Sequence, residues 1–486
     1  MLAQRSIDVT MRGLPRLLIR RLSAPIAAAL LIAMTGVVTI AGGIGGAVPT
    51  AAVAALAATF AVASTLPLVA RRLAGRENWF HPLFLPVAYV AFALLAPLAY
   101  VVATQRPVAG VPPGDLSLAL VGTMALTVAG FVAGIVASLQ WVSQADGAGA
   151  RHQWDRVLLC GRAMILIAIV MRAYSTARGW GTPYGTGSVD FGTNGTIQTT
   201  TDFLIVTGSA LIVLAQVQLR GAVAAPVDLV LFGAFCVITL VVGGRGELLA
   251  PVVFALWLYH RDVRRISLRA LAGGCVIVVL LFQAIQGVRA GDSPLSTPRA
   301  TIERTLTSVG VPMQATSLTT ASVPALASHR LGDTYVESLK RQLPGTIAVK
   351  LWGEPSETGT FVLRRIIGFN SPDAGLGFAL PAESYLNFGV SGSLVIALLI
   401  GLLFGYAYQK QVAVRPSRAS HVLYGFLIAT LPLSLRADAV LQIKAVLYPM
   451  VAIAVILGVC RERPSQFFRA SDLSLKRSRI SRGRAT

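Results

Sequence analysis

A small set of charged residues stands where long apolar runs end: Arg172, Arg178, Arg245, Glu247, Arg289, Glu383, Arg436, Asp438 and Lys444. In or near hydrocarbon such groups are costly unless paired or facing water, so each is a candidate for function. Arginine presents a planar fork that binds phosphate oxygens two at a time. Arg245 and Glu247, in the stretch GGRGE between two short apolar runs, form the sharpest pair; the plainer reading is an arginine snorkelling to headgroups beside a glycine cap. Arg289 ends another run, with Gln283 and Gln286 on the same broad helical face. That polar stripe suits a lipid-phosphate headgroup, or equally a stop-transfer cap.

Glu383 lies in PAESYLNFGVSG at an apolar boundary, where desolvation makes a carboxylate a better general base for a hydroxyl. A glutamate there also suits a helix N-terminus through the dipole. His329, in the longest polar segment, is a second acid–base candidate or a solvated surface histidine. Arg364 and Arg365 are adjacent, so on a regular element they point apart and at most one faces a ligand. Arg162, five residues into its run, is expected to snorkel the other way, whereas Arg172 belongs with Arg178. The chain holds no P-loop, no G-x-G-x-x-G on a strand–helix unit and no H-E-x-x-H. Cys160, Cys236, Cys275 and Cys460 all fall in or beside apolar runs, with spacing unsuited to zinc. Neither a metal nor a cofactor is expected.

The elements that must position these groups are read from composition. Of 486 residues 55% are hydrophobic and only 13% charged. The expected fold is an all-α polytopic membrane protein of about twelve helices. The net charge of +21 marks cytoplasmic loops and contact with membrane lipid rather than nucleic acid. Crossings are expected at 24–42, 48–70, 82–104, 116–139, 157–173, 202–219, 227–243, 246–259, 268–286, 386–408, 419–434 and 443–460. Every second connector is basic, which puts both termini in the cytoplasm and the candidate residues on the far face.

The resulting organisation is a basic cytoplasmic N-terminus (1–23), helices one to nine (24–286), one large extracytoplasmic loop (287–385), helices ten to twelve (386–460) and a basic cytoplasmic tail (461–486). Within the large loop two short amphipathic helices are expected. One covers 301–309 and stops at Gly310; the other covers 333–343, opens on an Asp333 cap and ends at Pro344. The loop at 174–200, rich in Gly, Thr and aromatic residues, is expected to be irregular.

Three stretches carry a family resemblance: VVGGRGELLAPVVFALWLYHR at 241–261, LPGTIAVKLWGEP at 343–355, and GFALPAESYLNFGVSGSLVIALLIGLLFGYAY at 377–408. With one dominant loop before the last helices, the chain resembles the Wzy-type O-antigen polymerases, which polymerise oligosaccharide repeat units. The resemblance implies a C-type membrane glycosyltransferase of the bacterial inner membrane, acting on glycans linked to a polyprenyl (undecaprenyl) pyrophosphate, with a chain-length regulator as a partner. It also implies functional arginines in the loops. Arg364 with Gly375 has a spacing similar to one described for the family, with no matching copy at Arg178 or Arg289.

Residues and resemblance together point to transfer without ATP, the pyrophosphate acting as leaving group. Arg245, Arg289, Arg364, Arg365, Arg172, Arg178 and Arg436 are the expected pyrophosphate ligands. Glu383 is preferred as base, with His329 in reserve and Glu247 beside them. One displacement would invert the anomeric centre. The alternatives are a ligase that joins finished glycan to another acceptor, and a flippase for lipid-linked oligosaccharide. Against the flippase, the chain shows no division into similar halves and few charges in mid-helix.

Overall fold

A computed structural model describes residues 80–138, 152–178, 193–242, 246–267, 269–274, 276–277, 280, 298–343, 345–353, 357–368, 378–412 and 418–461. The expected crossings at 24–42 and 48–70, the basic N-terminus and the tail beyond 461 lie outside these residues. Among the described residues there is no strand, as lipid demands of a chain whose backbone bonds must close within each segment.

The long helices are α1 (Leu85–Thr104), α2 (Leu118–Ser138), α3 (Trp154–Ala177), α4 (Thr193–Arg220), α5 (Pro226–Val242) and α6 (Gly246–Leu258). Five shorter ones follow: α7 (Pro298–Val309), α8 (Val311–Ser322), α9 (Asp333–Lys340), α10 (Gly345–Trp352) and α11 (Gly359–Ile366). The chain then returns to long helices with α12 (Leu380–Val412), α13 (Arg418–Ser434) and α14 (Ala439–Val459). Six of these are long and apolar enough to cross a membrane: α1, α2, α3, most of α4, α12 and α14. Both α3 and α4 outrun the apolar stretches that mark them in the sequence, because helical bonding continues through polar residues beyond the hydrocarbon boundary. α4 begins at Thr193, inside the loop expected to be irregular.

Close packing of α2 on α12 organises the bundle. Gly130 and Gly134 on α2 meet Leu394 and Leu398 on α12, and Gly401 on α12 meets Phe131 on α2. A Cβ at any of the three glycines would strike the opposing backbone. Both helices carry G-x-x-x-G (130–134 and 401–405), the spacing that brings membrane helices together by van der Waals contact. Numbers rise together along this contact, from Gly122 at Val390 to Gly134 at Leu398, so α2 and α12 run parallel. α3 and α14 run opposite ways: Gln153 at the start of α3 donates to the Cys460 carbonyl at the end of α14, at 2.8 Å. α6 likewise opposes α13, since Trp257 near the end of α6 meets Tyr424 near the start of α13. The end of α3 and the starts of α6, α12 and α14 therefore share one end of the bundle.

The short helices cover that end. α7 stops before Gly310 as expected. α9 differs from its expected form: Gly332, with φ of 100°, is its N-cap, and Asp333 sits in the first turn without capping. An acidic residue in the first turn still favours the dipole. α8, α10 and α11 are additional to the two helices expected in this loop. α8 is built largely of Thr and Ser, and its hydroxyls bond back to their own helix, as Thr316 to the Pro312 carbonyl and Thr319 to Ala315. That internal satisfaction lets a polar helix be buried.

Candidate functional site

The expected tenth crossing is a broken helix. Within the 33 residues of α12, Gly389 adopts φ 68° and ψ −160°, a region open essentially to glycine alone. The break strips carbonyls of their helical partners, and the segment before α9 replaces them. Arg330 N–H donates to the Leu386 carbonyl at 3.0 Å, and Leu331 N–H to Asn387 at 2.9 Å. Nδ1 of His329 reaches the Tyr385 carbonyl at 3.0 Å. A carbonyl can only accept, so Nδ1 carries the proton, and in the neutral ring Nε2 is left with its lone pair. Nε2 faces the break: a Cβ at Gly389 would lie 3.5 Å from it.

Six residues before the break, Glu383 is fully buried. Oε1 accepts from the Thr334 hydroxyl at 2.9 Å, and Oε2 accepts from Ala439 N–H, in the first turn of α14, at 2.7 Å. Thr334 Oγ1 in turn accepts from Asn387 Nδ2 at 2.7 Å. Asn387 also donates to the Glu383 carbonyl at 2.8 Å and accepts from Gly332 N–H at 3.0 Å. The two Nδ2 protons of Asn387 go to separate acceptors, and each carboxylate oxygen of Glu383 accepts once. This chain ties α9, both sides of the break and α14 into one buried unit. Asp438, the N-cap of α14, accepts from Leu441 N–H and from the Thr360 hydroxyl on α11 at 3.1 Å. It lies close enough to act on the charge of Glu383.

Tyr335 completes the cluster. Ser384 gives its own proton to the Leu380 carbonyl, so its oxygen accepts from the Tyr335 phenol at 3.1 Å. Burial, then the Glu383 charge, push the phenol well above its ordinary value against the opposing effect of the Ser384 bond. Tyr335 thus keeps its proton and stacks on Phe388, ring centroids 6.3 Å apart.

The basic candidates surround this core unevenly. Arg172 is buried near the end of α3, and Arg178 ends that helix over the Tyr174 ring. Arg436 is exposed between α13 and α14 and acts on Tyr89 of α1. On α11 the neighbouring arginines diverge. Arg365 pairs with Glu357 at 2.9 Å on the surface, while Arg364 is half-buried and lies over Phe361. Glu247 is in the first turn of α6, at the shared end; Arg245 and Arg289 lie outside the described residues. Arg162 does more than snorkel: at the opposite end it pairs with Asp228 at 2.7 Å. Among the described residues no group of three or more His, Cys, Asp and Glu side chains could hold a metal ion.

Several contributors were not singled out in the sequence. Thr334 and Asn387 look ordinary there, although Asn387 is one helical turn from Glu383 and two residues before a glycine. Arg341, which ends α9, stands near Lys444 of α14, with Asp438 acting on the same lysine. Arg341 and Lys444 thus bring two cations to the neighbourhood of the Asp438 carboxylate.

A family model described as "O-antigen polysaccharide polymerase Wzy" matches residues 189–462, more than half of the chain and all of the Glu383 cluster. No curated protein and no solved structure matches. The chain belongs to the Wzy family of O-antigen polysaccharide polymerases. Membership makes it a glycosyltransferase-type polymerase, a multi-pass membrane protein that acts on lipid-linked oligosaccharide repeat units.

Proposed function

We propose that this Wzy-family protein moves a growing glycan from its polyprenyl pyrophosphate onto a new lipid-linked repeat unit at the Glu383 end of the bundle, with that end facing away from the cytoplasm. The acceptor hydroxyl attacks the anomeric carbon of the donor. The bond from that carbon to the pyrophosphate oxygen breaks, and the electron pair leaves with the pyrophosphate. Guanidinium groups from Arg172, Arg178, Arg364 and Arg436, with Arg245 and Arg289, balance the developing charge. Arg365 contributes once released from Glu357. A single displacement inverts the anomeric centre, and cationic side chains take the role a metal would otherwise fill.

The observation that carries this reading is the division of labour between His329 and Glu383. Both Glu383 oxygens are occupied and the residue is sealed from water, so in this geometry it fixes positions. His329 is only half-buried, is oriented through Nδ1, and presents Nε2 at the helix break. It is therefore the better placed base for the acceptor proton, with Glu383, Thr334 and Asn387 holding its segment. Glu247 remains a candidate acid–base group on α6.

The test uses membranes from a polymerase-deletion strain carrying His329→Ala, with labelled lipid-linked repeat units as substrate. Single repeats that never lengthen support the reading; polymer of unchanged amount and length removes His329 from the chemistry. The same assay separates the rivals. Loss of a ligase would leave polymer on its carrier, and a flippase would move substrate without forming glycosidic bonds. A chain-length regulator as partner predicts that its deletion changes length without stopping polymerisation.

A further inference from the structure

α9 is inside out. Its central polar residues face inward: Thr334, Glu337 and Ser338 are 1%, 7% and 0% exposed, with the charged Asp333 and Lys340 at its two ends more open. Its apolar residues face outward: Val336 and Leu339 are 51% and 60% exposed. α10 extends the pattern, with Ala348 buried and Ile347, Val349, Leu351 and Trp352 exposed around Lys350. Water would favour the reverse arrangement, and such a run of exposed apolar side chains marks a contact surface. The position of the α9–α10 junction indicates which contact. Gln342 Nε2 donates to the Val440 carbonyl of α14, and the Gln342 carbonyl accepts from the Tyr448 hydroxyl. Tyr448 is about 14 Å along α14 from Ala439 at 1.5 Å per residue. The junction thus lies along the flank of a membrane helix whose own Leu441, Leu447 and Val451 are exposed.

We propose that α9 and α10 are seated in the bilayer interface on the Glu383 side, their apolar faces among the lipid chains and Lys350 reaching to the headgroups. An amphipathic segment with large apolar residues on one face and lysine at its edge binds a lipid surface in this way. The seat depends only on the chain being a membrane protein, not on which residue acts as base. Its consequence is positional: Thr334 projects from the inner face of α9 onto Glu383, so the depth of the lipid surface sets the height of the buried cluster. A phosphorylated lipid carrier offers its phosphates at that same level.

The test reconstitutes the full chain in nanodiscs and measures quenching of Trp352, taken as the difference between wild-type and Trp352→Phe protein. Lipids brominated on their acyl chains should quench this difference signal several-fold more than aqueous iodide does. Quenching by iodide instead, or by neither agent, would overturn the proposal, the latter because a protein surface then covers the helix. A second measurement places a nitroxide at Leu339→Cys, with Ser328→Cys as the exposed-loop reference, in a chain whose four cysteines are replaced by alanine. Leu339 should favour collisions with oxygen and Ser328 with a nickel chelate. Equal behaviour at the two positions counts against a lipid seat.

Discussion

Asn387 is held to Glu383 twice: directly, from Nδ2 to the Glu383 carbonyl at 2.8 Å, and indirectly, through the Thr334 hydroxyl to the carboxylate. Its third bond, from Gly332 N–H to Oδ1, crosses to the segment that carries His329. Truncation therefore strands groups on two elements. Asn387→Ala leaves the Gly332 N–H unpaired and removes a donor from Thr334, each at a cost of about 1–3 kcal/mol when buried. Asn387→Asp keeps the Gly332 acceptor but sets a second buried carboxylate oxygen against the Glu383 carbonyl. Both variants should melt at lower temperature in detergent, the aspartate more so, and both should make little polymer. A melting temperature for Asn387→Asp equal to wild type would mean that the network contributes nothing to the fold.

Glu383 and His329 are expected to fail differently. In Glu383→Gln the amide oxygen can serve Ala439 N–H, but its N–H₂ then faces Thr334, whose hydroxyl already accepts from Asn387 and loses its own acceptor. His329→Ala gives up one bond to a helix carbonyl at a half-buried site, worth about 1 kcal/mol net. The prediction is a lowered melting temperature with reduced polymer for Glu383→Gln. His329→Ala should keep a melting temperature near wild type yet yield only single repeats. Circular dichroism melts and gel profiles of the glycan give both readouts. The reverse pattern would return the base assignment to Glu383.

What the sequence disclosed and what it concealed divide along physical lines. Apolar runs mark α2, α5, α6 and α13 to within about two residues at each end, and α1 and α14 to within about four, because the length of an apolar run is a one-dimensional property of the chain. Glu383 stood out because a carboxylate at a hydrophobic boundary is costly wherever it lies. Thr334 did not, since its hydroxyl acquires meaning only from Glu383, 49 residues away, and no local pattern encodes that pairing. The break at Gly389 was hidden for a related reason. Glycine is common in membrane helices, and Gly401, a dozen residues on, serves close packing instead. α8 escaped notice because its Thr and Ser read as a polar loop until their bonds to their own backbone are seen.

Gly389 is accordingly a position where even a methyl group should matter. At φ 68° and ψ −160° an alanine pays about 1–3 kcal/mol of backbone strain, while its Cβ would rest in ordinary contact 3.5 Å from the His329 ring. Straightening the helix would relieve that strain but would return the Tyr385, Leu386 and Asn387 carbonyls to helical donors, releasing the His329 segment. Gly389→Ala should therefore abolish chain extension while the protein still inserts, which membrane fractionation beside the glycan assay would establish. Full-length polymer from this variant would show that the break is dispensable.

Close packing against α2 holds the broken helix in place. Gly134 approaches α12 so closely that a Cβ would meet the backbone of Leu398 and Leu402. Backbone cannot rotate away as a side chain can, so Gly134→Ala must push the two helices apart along their whole contact. Gly233 on α5 provides the contrast, since a Cβ there meets nothing within 4 Å. Alanine in a helix interior is favoured over glycine by about 1 kcal/mol, so Gly233→Ala should be neutral or slightly stabilising. Gly134→Ala should lower the melting temperature and shift the α12 half-helices enough to disturb the Glu383–Thr334 bond, with loss of polymer. If both substitutions prove equally harmless, the α2–α12 contact is looser than its geometry indicates, and something other than these glycines positions the site.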